Sequence, residues 1–130
     1  MSLSSAMFTS LTALNAFGIG TQVGANNLAN VLTDGFKAAR TTYQDLPRYS
    51  GVAAQASMGL GPTGPLIPVQ GLPRDPATPA WVPKGFVEGS NTDVAREMVN
   101  LIVTERGYQA NAKVIPTVDN MLGMVINLKV

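Results

Sequence analysis

The sequence predicts a mainly α protein in which long N- and C-terminal amphipathic helices pair as a coiled-coil-like hairpin, joined by a Pro/Gly-rich extended loop with at most short β-strands. Two observations carry this. Apolar residues recur at heptad spacing near both ends, and the prolines are gathered between them. The implied divisions are 1–42 for the first helix and its following turn, 43–87 for the extended middle, and 88–130 for the second helix.

In the first segment, Met7, Leu11, Leu14, Gly18, Thr21, Ala25, Leu28 and Leu32 follow at alternating steps of four and three, which sets a seam on one helical face. Ser4 or Ser5 offers an N-cap. Asp34-Gly35 is a natural stop because glycine tolerates positive φ. The helix would be roughly 42 Å long at about 1.5 Å per residue. Residues 1–33 contain no Asp, Glu, Lys or Arg. A solvated helix carries charge on its outer face, so even the polar side of this one is expected to meet protein.

Residues 47–87 hold eight of the nine prolines and six glycines, enough to exclude a helix or a central strand where the prolines fall. Short strands are expected around Leu66–Val69 and Trp81–Val82. Trp81 and Phe86 either anchor this segment on the helices or form a local cluster.

The third segment opens with Ser90-Asn91-Thr92-Asp93, where Asn91 can cap and Asp93 meets the positive end of the helix dipole. Its seam reads Val94, Met98, Leu101, Glu105, Tyr108, Ala112, Ile115, Asp119, Leu122, Ile126 and Lys129. Pro116 forfeits the hydrogen bond to the carbonyl of Ala112, so a kink or a division into two helices is expected there. Two such helices shelter each other poorly. Ordering each residue costs about 1–2 kcal/mol of backbone entropy, against about 1.5–3 kcal/mol for each buried aliphatic side chain, so the pair gains from neighbours.

Composition removes several functions. Cysteine and histidine are absent, and with them disulfides, thiol nucleophiles, imidazole or thiolate metal sites and the commonest general base; no cofactor is implied. The net charge of +1 is scattered, with no basic patch for nucleic acid. No apolar run approaches the length of a membrane span, so direct membrane insertion is not expected. No cleavable signal peptide is visible at the N-terminus. Gly59-x-Gly61-x-x-Gly64 lies in a proline-rich loop without a preceding strand, and is not a phosphate-binding turn. Asp93 and Glu97 sit one turn apart and read as a cap and a surface charge, not as an acid–base pair; the chain is not read as an enzyme.

Two motifs resemble those of the flagellar axial proteins, the family of rod, hook and hook-associated subunits. The first is Asn26-Asn27-Leu28-Ala29-Asn30 followed by Thr33-Asp34-Gly35-Phe36-Lys37. The second runs from Asn91-Thr92-Asp93-Val94 through Glu97-Met98-Val99 to Arg106-Gly107-Tyr108-Gln109-Ala110-Asn111-Ala112-Lys113-Val114-Ile115. Among such proteins, a chain this short looks like a proximal-rod subunit, and Tyr108-Gln109-Ala110-Asn111 looks like the kind lettered C.

The resemblance implies a structural subunit of the basal-body rod, exported through the flagellar type III apparatus without signal cleavage. It also implies polymerisation with itself and other rod subunits in the periplasm into a hollow drive shaft for motility. Its terminal helices would form the inner layer, with Glu105 and Asp119 near the channel or a lateral contact. The competing reading is a small secreted or adaptor protein that docks its amphipathic helices on a different partner.

Overall fold

The computed structural model describes residues 2–59, 61, 63–69 and 79–128. Pro62, Pro73, Pro76 and Lys129, which figure in the sequence reading, lie outside the described residues. A long helix at each end brackets two antiparallel two-stranded ribbons.

Helix α1 spans Leu3–Ala29. Its cap is Ser2, earlier than the expected Ser4 or Ser5: the Ser5 N–H donates to Ser2 Oγ (3.2 Å) and the Ser2 N–H to Ser5 Oγ (3.1 Å). This reciprocal pair satisfies two of the amides that a helix start leaves open. The helix ends at Asn30, whose N–H donates to the carbonyls of Asn26 and Asn27. Gly35 adopts φ +70° a few residues beyond, in the following turn.

Strands β1 (Arg40–Asp45) and β2 (Val52–Ser57) pair from Arg40 opposite Ser57 to Asp45 opposite Val52. A single 3₁₀ turn at Pro47–Tyr49 joins them, with Arg48 in the left-handed region at φ 61°. β1 straddles the boundary drawn at residue 42. The ribbon lies on α1: Thr12 Oγ1 accepts the Val52 N–H (3.2 Å), and the rings of Phe17 and Tyr43 sit 5.8 Å apart.

The second ribbon pairs β3 (Leu66–Pro68) with β4 (Phe86–Glu88). β3 falls where a strand was expected. Trp81–Val82 does not form one: Val82 donates its N–H back to the Pro79 carbonyl in a turn, and the strand forms at Phe86–Glu88 instead. Val82 is the buried apolar residue of this segment, while Trp81 and Phe86 are exposed.

Helix α2 spans Val94–Asn127. Asp93 is the cap, accepting the Arg96 N–H at 3.2 Å, and Asn91 is used elsewhere. α2 continues through Pro116 as one helix, so the division into two does not occur. No helix among the described residues is long and apolar enough to cross a membrane.

The two helices meet through small residues. A Cβ on Gly107 would lie 2.6 Å from the Phe17 ring, one on Gly20 would lie 3.3 Å from Thr104, and one on Gly24 would lie 3.0 Å from Leu101. These contacts climb α1 while descending α2. Ser10, Ala13, Ala16, Gly24 and Asn27 are the buried residues of α1, and Glu97, Thr104 and Val118 those of α2. This corrects the reading of Glu97 as a surface charge.

Candidate functional site: the exposed helix faces and the junction that sets them

Only Ala13, Ala16, Val82 and Val118 are buried apolar residues among those described. The large apolar side chains lie outside this small interior. Of the seam residues expected from sequence, Met7, Leu14, Leu28, Leu101, Ile115 and Leu122 are half-buried, whereas Leu11, Leu32, Val94, Met98, Tyr108 and Ile126 are exposed. Leu32 is 91% exposed and Ile126 68%, values that exclude any role inside this chain's own core. Val99, Ile102, Val103, Met121, Met124 and Val125 add to the exposed apolar surface of α2.

The polar residues of that helix serve it locally. Gln109 donates to Glu105 Oε1 (2.8 Å) and accepts from Arg106, while Asn111 Nδ2 donates to the Gly107 carbonyl (2.9 Å). Tyr108, Gln109, Ala110, Glu105 and Asp119 are all exposed.

The orientation of these faces is set at a junction where the end of α1, the connector through Ala39 and the entry to α2 converge. Asn27 is fully buried. Its Nδ2 donates to the Ala39 carbonyl (2.8 Å) and its Oδ1 accepts the Ala39 N–H (2.9 Å), so one amide side chain pairs with both backbone groups of one residue. Asn is suited to this because donor and acceptor stand side by side in one plane. Asn30 ties the helix end to itself, donating to the Asn26 carbonyl at 2.9 Å.

Asn91 performs the complementary task from the other side. Its Oδ1 accepts the Ala38 N–H (2.7 Å), and its backbone N–H donates to the Phe36 carbonyl (3.3 Å). The Gly35 N–H donates to the Glu88 carbonyl at 2.6 Å, which continues the same seam.

Lys37 and Glu88 form an ion pair at the junction's centre, with Glu88 buried. Glu88 also accepts the Gly64 N–H at 2.7 Å. Burial pushes the Glu88 carboxyl up, but the Lys37 ammonium and the Gly64 N–H together outweigh it and hold the group below its ordinary value. The sequence gives no sign of Glu88, because a single carboxylate after a strand has no pattern. Lys37 and Asn91 stand in the two motifs, but their partners are set by the fold.

Such a chain is a helical building block with a thin core, its apolar groups turned outward and its helix ends fixed by polar clamps. Comparison with known proteins gives that class a family. A family profile described as "Flagellar basal body rod FlgEFG protein C-terminal" matches residues 84–128. The flagellar basal-body rod protein FlgG of Bacillus subtilis (strain 168) is 33% identical over 111 residues, which is 85% of this chain and 35% of that protein. FlgG of Agrobacterium fabrum is 44% identical over 63 residues, covering 48% of this chain and 24% of that protein. The flagellar hook protein FlgE of Escherichia coli (strain K12) is 32% identical over 108 residues, 83% of this chain and 22% of that protein.

The chain belongs to the family of flagellar rod and hook proteins. It spans between 22% and 35% of the length of these three relatives. Their names are those of FlgG and FlgE, so none of the three carries the C-type assignment suggested by Tyr108-Gln109-Ala110-Asn111.

Proposed function

We propose that the chain is a non-enzymatic structural subunit of the flagellar basal-body rod, in which α1 and α2 act as a coiled-coil-like hairpin and polymerise with copies and related subunits. The observation that supports this most is the inverted distribution of side-chain size. Small residues fill the contact between the helices, and Val94, Met98, Ile102, Val125 and Ile126 remain for neighbours. Exposed apolar side chains gathered on one helix in this number are a mark of an interaction site. In this reading Leu11, Leu32, Tyr108 and the exposed stripe of α2 make intersubunit contacts, while Asn27 and Asn91 fix the angle at which they are presented. Family kinship supports export through the type III apparatus without a cleaved signal, and a place in the periplasmic rod. The Tyr108-Gln109-Ala110-Asn111 element supports a subunit of the C type.

The test uses exposed positions, because Leu101 packs against Gly24 of α1 and Leu122 is half-buried, so changes at either would confuse folding with assembly. Ile102→Asp and Val125→Asp, at 54% and 56% exposure, should change the monomer's stability by less than about 0.5 kcal/mol. The same variants should abolish swimming in the parent bacterium and leave truncated basal bodies under the electron microscope. Motile cells with complete rods carrying either variant would overturn the proposal.

A further inference from the structure

A cleft of about 350 Å³ opens between α1, β1 and α2, lined among others by Phe17, Gly20, Tyr43, Glu97, Asn100 and Thr104. Its distinctive member is Glu97, which is 8% exposed and makes no hydrogen bond or ion pair with any described residue. Its carboxylate oxygens reach solvent through the cleft, since no fully buried side-chain oxygen among the described residues lacks a partner, so the cleft is the route by which a counter-ion would meet them. Glu97 also lies in the first turn of α2, at the positive end of the helix dipole. The dipole gives no directed hydrogen bond.

The opposite wall supplies room but no partner. Gly24 has no side chain, and a Cβ there would come within 3.7 Å of Glu97 Oε2. Arg40 stands on the rim, yet the only ion pair among the described residues is Lys37 with Glu88. The site therefore combines a carboxylate without a partner among the described residues, two aromatic residues and an opening to solvent.

We infer that this cleft receives the cationic tip of an arginine or lysine side chain from a neighbouring axial subunit, with Glu97 as its counter-ion. The inference rests on the assembly reading above. Charge complementarity selects the occupant: the one carboxylate lining the site has no cation among the described residues, and the aromatic residues Phe17 and Tyr43 line the same cleft. A second copy has cations to offer, because Arg48 at the ribbon tip and Lys113 on α2 are exposed and enter no ion pair. Docking of such a side chain would link one subunit's α1–β1–α2 angle to its neighbour's position.

The full ¹⁵N-labelled chain is titrated with ethylguanidinium chloride against sodium chloride at equal ionic strength, following the amides of Gly20, Gly24 and Thr104. The expected result is saturable shifts with guanidinium alone, weakened at least tenfold in Glu97→Gln. Shifts that do not saturate, or that are equal in the variant, overturn the inference. Affinity that rises on Arg40→Gln would assign the carboxylate to an intramolecular partner and also overturn it.

In the same variant, Glu97→Gln should melt no lower than the parent chain while rod assembly and swimming decline. A lower melting temperature would make Glu97 a fold residue and sink the idea. A saturable, Glu97-dependent guanidinium site in a chain whose Ile102→Asp variant still builds rods would uphold the cation site and overturn the assembly reading instead.

Discussion

Replacing Asn27 by Ala isolates the clamp between α1 and the connector. Asn27 is fully buried, and its amide makes both hydrogen bonds available from Ala39, at 2.8 and 2.9 Å. Each intramolecular hydrogen bond contributes about 0.5–1.5 kcal/mol net, and each backbone group left buried without a partner costs about 1–3 kcal/mol. Ala39 is only half-buried, so water can reach part of the vacated space and the lower half of that range applies. Ala is also the better helix former by about 0.6 kcal/mol, which works in the opposite direction. The expected net loss, two backbone groups at about 1–2 kcal/mol each less the helix-propensity gain, is about 1.5–3.5 kcal/mol. Asn27→Asp should do at least as badly at neutral pH, because it retains the acceptor for the Ala39 N–H but sets a buried carboxylate against the Ala39 carbonyl. The assay is urea unfolding followed by circular dichroism, with hydrogen exchange at the Ala39 amide as the local readout. A loss below about 0.5 kcal/mol with unchanged Ala39 protection would refute the clamp.

Gly107→Val should force α1 and α2 apart, since even a Cβ would meet the Phe17 ring at 2.6 Å; overpacking of this kind costs about 1–3 kcal/mol, and adding Phe17→Ala should recover part of it. Thermal melts of the two variants and their combination check this. Glu88 predicts acid sensitivity: its folded-state value is held below the ordinary 4.5, so the folded form binds a proton less readily than the unfolded one. The stabilisation is complete above that ordinary value and disappears as pH falls through it and then through the lower folded value. Lys37→Met should reverse the slope contributed by this group, because burial, the largest single influence, then outweighs the Gly64 N–H that remains, raises the carboxyl and lets acidification relieve it. Unfolding free energies at pH 7, 5 and 3.5 for both chains provide the comparison.

The two terminal helices were legible because a period of seven residues, a glycine after the first helix and an Asn/Asp-rich start before the second are local signals. Their mutual face was not. A heptad reading assigns the largest apolar residues to the seam, yet close approach of two backbones favours Ser10, Ala13, Ala16, Gly20, Gly24 and Gly107, which carry little or no hydrophobic signal. The burial of Glu97, one position before the expected Met98, shows the displacement directly. β1 and β2 were hidden for a related reason: each is six residues long, and only Thr41, Val52 and Ala54 are half-buried, too few to make an alternating pattern. The junction was half legible. Asparagines at 26, 27, 30 and 91 are plain in the sequence, but an amide that pairs with the backbone of Ala39 depends on how the connector returns, which no short-range pattern encodes.

That displacement also connects the fold to assembly. Fully burying a Val, Leu, Ile or Met side chain is worth about 1.5–3 kcal/mol, so the half still exposed on each such residue retains about 1 kcal/mol. Twelve large apolar residues on or at the end of α2 remain in this condition, from Val94 to Leu128. Their unused burial is on the order of 10 kcal/mol, comparable with the whole stability of an ordinary domain. A helix pair closed by glycine and alanine keeps that free energy available for contacts between subunits, whereas a pair closed by its leucines would have spent it on a stable monomer. The polar clamps at Asn27 and Asn91 then have a clear mechanical reason. With so little apolar core to define the angle between helices and ribbons, directed hydrogen bonds must define it, and in the proposed polymer an error of angle there would be repeated at every subunit.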